Sequence, residues 1–87
     1  MVYLLAVFRA RTETLAYSQI LRSYGVQCAI INTPRQVAVS CGISVKMALN
    51  SYDVALSVKQ RRNFNSFAGF FKITENPNNN ITVTPLE

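Results

Sequence analysis

The chain has 87 residues, 49% of them hydrophobic, with nine basic and four acidic residues, a net charge of +5 and no histidine. That length makes one small domain with a real core, and low proline and glycine content argues against disorder. Without histidine there is no imidazole base or Ser-His-Asp arrangement, and two cysteines with four acids do not build a closed zinc site.

No glycine-rich phosphate loop is present, so neither metal nor cofactor is expected, and a thiol or a lysine is left as the nucleophile. No apolar run approaches the roughly 20 residues that span a bilayer. The apolar start "MVYLLAVFRARTE" has neither a positive leader nor a cleavage site, so it reads as a strand. Two cysteines far apart point to free thiols in a reducing, cytoplasmic setting without membrane contact. The positive charge suits an anionic partner or simply solubility, because the basic residues are scattered apart from Lys59, Arg61 and Arg62.

Tyr3–Ala10 is apolar and aromatic enough for a central strand. A helix follows over 11–25, with Thr12 or Thr14 as N-cap, Glu13 near its positive end and Gly25 as its stop. Ala16, Tyr17, Ile20, Leu21 and Tyr24 form its predicted core stripe. "VQCAIIN" reads as a second strand ended by Thr33-Pro34. "ISVKMAL" alternates as a half-exposed third strand. Asn50 or Ser51 caps a second helix that runs to Gly69, with Val54, Ala55, Val58, Phe64 and Phe67 inward.

"FFKIT" is the fourth strand, "ENPNNN" a turn, and "ITVTP" a candidate extra strand. The order β-α-β-β-α-β predicts an α+β, ferredoxin-like domain over 1–85, a mostly antiparallel four-stranded sheet with two helices on one face. Leu86-Glu87 reads as a vector-derived remnant and is set aside.

The segment 33–42 is longer than a hairpin needs, and extra loop length often carries function. Pro34 stiffens its start, Gly42 permits a backbone angle other residues avoid, and Cys41 sits between small neighbours. Arg35 is the cation nearest in sequence to stabilise a thiolate, and the Gly42 and Ile43 N–H groups are candidate donors. The plainer reading makes Cys41 a small buried core residue, a common fate of free cysteine. Cys28, inside a strand, reads as core, and a Cys28–Cys41 disulfide depends on a register the sequence does not fix.

The start "FRARTETLAY", the "TPR" after the second strand and the "SCG" leading into the third resemble a selenium/sulfur carrier-like family of small bacterial proteins. The resemblance covers about residues 3–60. It implies a cytoplasmic carrier, rather than a turnover enzyme, whose cysteine holds sulfur or selenium as a persulfide or selenosulfide. The matching positions are Thr33, Pro34, Arg35, Ser40, Cys41 and Gly42, with Cys41 as the reacting atom and the others around the cargo. Its implied partners are a cysteine desulfurase-type donor and an acceptor protein.

The alternative is a binding module in which Cys41 is structural. "GFFKI" faintly matches an RNA-recognition signature but lacks its Lys/Arg-Gly-Phe pattern, so single-stranded RNA is disfavoured. The remaining expectation is a structural or regulatory subunit that pairs, as in a homodimer, through its open sheet face or an edge strand, with Val45, Met47, Phe71 and Ile73 supplying the surface.

Overall fold

The computed structural model describes residues 1–86. Five strands and two helices follow in the order β1 (Val2–Phe8), α1 (Arg11–Ser23), β2 (Cys28–Asn32), β3 (Ile43–Met47), α2 (Tyr52–Arg61), β4 (Phe67–Glu75) and β5 (Ile81–Leu86). A short 3-10 turn, Leu49–Ser51, leads into α2. The protein is α+β, with one antiparallel sheet in the order β2-β3-β1-β4-β5. The expected four-stranded sheet is therefore five-stranded, because "ITVTP" does return and pairs along β4. Leu86, set aside from the sequence, lies opposite Phe70 and packs on the core; Glu87 lies outside the described residues.

Alternation along β1 explains the two layers. Leu4, Ala6 and Phe8 face the helices, where they meet Tyr17, Leu21, Ala55 and Val58. Tyr3, Leu5 and Val7 face the other way and gather Ile73, Val37, Phe71 and Val83. Val45 and Met47 belong to the helix side, whereas Phe71 and Ile73 belong to the opposite side. The four residues expected to form one dimer surface are thus split between faces. β3 is also not half-exposed: it runs between β2 and β1, and Ser44 is fully buried.

The core side of α1 is Thr14, Tyr17, Ser18 and Leu21, rotated from the predicted stripe. Ala16 and Tyr24 are exposed. Two polar residues can face the core because each bonds its own helix: Thr14 Oγ1 to Ala10 O and Ser18 Oγ to Leu15 O. Ala10 is the N-cap, so neither Thr12 nor Thr14 caps the helix, and Ser51 caps α2 without a side-chain bond. Tyr17 donates its phenol to Ala55 O at 2.6 Å, and burial pushes that phenol well above its ordinary pKa.

The second helix ends at Arg61, earlier than predicted, and Val54 is exposed. Phe64 falls in the connection and Phe67 opens β4, where both rings pack edge-on against Phe8 at 5.5 and 5.4 Å. Gly69 therefore does not stop a helix. It lies in β4 at φ 147°, where a Cβ would come within 3.3 Å of the Phe71 ring.

Candidate functional site

The loop 33–42 is closed at its base by the strand ladder. Asn32 lies opposite Ile43, and Thr33 N–H donates to Gly42 O at 3.0 Å. Val37 folds back through a bond to Pro34 O and inserts its side chain into the outer apolar layer. Inside the base, Ser40 Oγ donates to Thr33 Oγ1 at 2.9 Å and accepts from Gly42 N–H at 2.7 Å. Thr33 Oγ1 also lies 2.6 Å from the Oγ of buried Ser44. Gly42 takes φ 100°, which disfavours any residue with a Cβ.

This frame carries Cys41 past the end of β3 and fixes it to β1. Its N–H donates to Phe8 O at 3.2 Å. Its side chain follows the Ile43, Val45, Met47 parity toward the helix side. Cys41 Sγ lies 3.5 Å from Thr14 Oγ1, in the first turn of α1, and 3.5 Å from Ile43 O. The sulfur is half-buried. Its polar neighbours are one hydroxyl and one carbonyl, beside the first turn of α1.

Of the residues singled out in the sequence, Thr33, Ser40 and Gly42 form a network that shapes the loop and do not touch the sulfur. Gly42 N–H is used by Ser40, and Ile43 offers Cys41 its carbonyl instead of its N–H. Pro34 anchors the turn to Val37. Arg35 is exposed, and no bond from it to Cys41 is seen. Thr14 is the residue sequence reasoning missed. Its only signal was a threonine in the first helical turn, which read as a cap.

Cys28 is also half-buried, with its Sγ 3.6 Å from Ser18 O on α1 and a place beside the helix-side core. It lines an open groove of about 490 Å³ with Tyr3, Lys46 and Met47. β2 and β3 do pair, but Cys28 lies opposite Met47, six residues along β3 from Cys41. At about 3.3 Å per residue the two are about 20 Å apart, far beyond disulfide reach, and both thiols are free.

The α+β domain thus holds the half-buried Cys41 thiol on a shaped loop beside the first turn of α1. A family model described as "Putative Se/S carrier protein-like" matches residues 3–66, and the chain belongs to that family. The matched segment contains Cys41, Thr14 and the whole 33–42 loop. No curated protein and no solved structure matches the chain. Among the described residues no helix is long and apolar enough to cross a membrane, and no cluster of metal-ligating side chains occurs.

Proposed function

We propose that Cys41 is the cargo-bearing atom of a sulfur or selenium carrier that works in the cytoplasm. The observation that carries this reading is the place of Cys41 Sγ. It is half-exposed at the first turn of α1, within hydrogen-bond reach of Thr14, inside the segment shared with the family. The same reading takes β1–β4 with both helices as a ferredoxin-like unit, and β5 as an addition to its β4 edge.

The transfer needs no histidine and no metal. The Cys41 thiolate attacks the terminal sulfur of a donor cysteine persulfide, R–S–SH. A new S–S bond forms on Cys41, the donor's own S–S bond breaks, and the donor leaves as the thiol R–SH while Cys41 keeps the persulfide anion. Oxidation level is conserved, because sulfane sulfur simply changes hosts. An acceptor thiolate reverses the step. With selenium the terminal atom differs and the bond order of events does not.

Thr14 is placed to serve both states. With a thiol present, the S–H donates to Ile43 O and the Thr14 hydroxyl bonds Ala10 O. With an anion on sulfur, the same hydroxyl turns to donate to it.

Loading with a cysteine desulfurase and radiolabelled cysteine should give protein-bound label that a reductant releases. Cys41→Ser should abolish it and Cys28→Ser should retain it. Full labelling of the Cys41→Ser protein would overturn the proposal.

A further inference from the structure

We infer that the end of the molecule bearing Cys41 is a positively charged docking surface for an acidic face of a partner protein. The nature of that partner, one that brings a sulfur-bearing cysteine, rests on the carrier reading; the charge argument stands without it.

The basic residues look dispersed along the sequence, but the topology gathers them. β1 ends at Phe8, whose carbonyl holds Cys41, and α1 starts three residues later, so Arg9 and Arg11 flank the thiol's anchor. α2 runs back toward the same end. Arg9 N–H donates to Ser66 O, and Phe8 lies opposite Phe67, so Arg61 and Arg62 at the close of α2 belong there too. Lys59 sits with its Nζ 5.1 Å over the Phe67 ring, and Arg35 rides on the loop that carries Cys41. Arg9, Arg11, Arg35, Arg61 and Arg62 are all exposed. Six of the nine basic residues therefore share one end.

The acidic residues do the opposite. Asp53 is in the first turn of α2 and Glu75 closes β4 beside Met1, both at the far end, with Asp53 lining one cleft along α2 that reaches Arg61. Among the described residues Glu13 is the single acid near Cys41, and its carboxylate is engaged by Ser66 Oγ and by the N–H groups of Asn65 and Ser66. Lys59, Arg61 and Arg62 also line a shallow cleft of about 440 Å³ with Gln60, Asn63 and Phe64.

Protein fits this surface better than RNA. Single-stranded RNA needs exposed rings on which bases stack. At this end Phe8 and Tyr17 are fully buried, while Phe64 and Phe67 are half-buried with their edges against Phe8. Sulfur transfer also requires the partner's own sulfur at bonding distance, and an acidic rim around a partner cysteine would be steered there by the arginines.

The probes are synthetic peptides carrying a cysteine persulfide flanked by glutamates or by lysines, with transfer to Cys41 read by mass spectrometry as salt rises. The glutamate peptide should react roughly tenfold faster at low salt. That advantage should vanish near 1 M salt, where the screening length is about 3 Å. Arg61→Gln with Arg62→Gln should reduce the advantage severalfold. Arg22→Gln with Lys72→Gln removes the same charge from elsewhere and should leave it intact.

A thiol-free fluorescent glutamate peptide, read by anisotropy, reports docking apart from chemistry. Equal rates for both peptides, with free cysteine persulfide still loading Cys41, would overturn the docking surface and spare the carrier reading. Salt-sensitive glutamate-peptide binding without loading would uphold the surface and overturn the carrier reading. Displacement of that peptide by oligouridylate at lower concentration would overturn it in favour of nucleic acid.

Discussion

Cys41 and Thr14 meet across 27 residues of sequence because α1 starts where β3's extension ends. The threonine hydroxyl has two partners and one proton, so its bond to sulfur strengthens only when the sulfur is charged. Thr14→Val keeps shape and removes that donor. Alkylation of Cys41 by iodoacetamide at neutral pH should slow about three- to tenfold, the worth of one such hydrogen bond, and Thr14→Ser should restore it. An unchanged rate in Thr14→Val would show that the hydroxyl serves only the helix. None of this contact was legible in the sequence. The place of Cys41 on a long loop before β3 was legible, but its partner depends on how α1 is rotated. That rotation is hidden by Thr14 and Ser18, which hydropathy counts as polar although each satisfies its hydroxyl on its own helix.

Among the elements, the 33–42 loop and the corner after α2 hold the sulfur's surroundings in place. Thr33 bonds Ser40 and lies against Ser44, which is fully buried. Thr33→Val strips the buried Ser44 hydroxyl of its partner and should lower unfolding stability by about 1–3 kcal/mol in urea titration. No change would mean that water replaces the threonine.

The corner depends on Glu13, whose carboxyl is held below its ordinary pKa chiefly by the Ser66 hydroxyl, with the Ser66 and Asn65 N–H groups adding to it. A depressed carboxyl contributes stability that is complete above its unfolded value, about 4.3, and is lost as pH falls through the lower folded value. Glu13→Gln should therefore be less sensitive to acid than the native chain in thermal unfolding below about pH 4.5. A parallel pH dependence in the two proteins would contradict that role.

In the sequence Glu13 stands near a helix start as a dipole partner, since nothing local reveals a bond to residues 52 and 53 positions away. The end of α2 at Arg61 is hidden in the same way. Phe64 and Phe67 continue an apolar rhythm that suits a helix, yet they pack better on Phe8 from a loop and a strand. The strands themselves were legible from period and β-branching, the fifth included. The register that keeps Cys28 far from Cys41 was not.

For the whole molecule, antiparallel topology turns a scattered charge pattern into a polar one. Each strand–helix crossing returns the chain to the same end, so residues 9, 11 and 35 join the 59–62 cluster at the end that bears Cys41. The α+β class followed from element order, while the charged end required the register of β1 with β3 and β4. The same end of the molecule thus holds a sulfur at a helix start, a loop that shapes its surroundings and a group of basic residues.

The most direct measurement is peptide mass mapping of both cysteines after the folded protein meets a sulfane-sulfur donor. The account predicts the added mass of one sulfur atom on the Cys41 peptide, reversed by dithiothreitol, with Cys28 unmodified. Equal modification of both thiols, or modification of Cys41 only after unfolding, would contradict it.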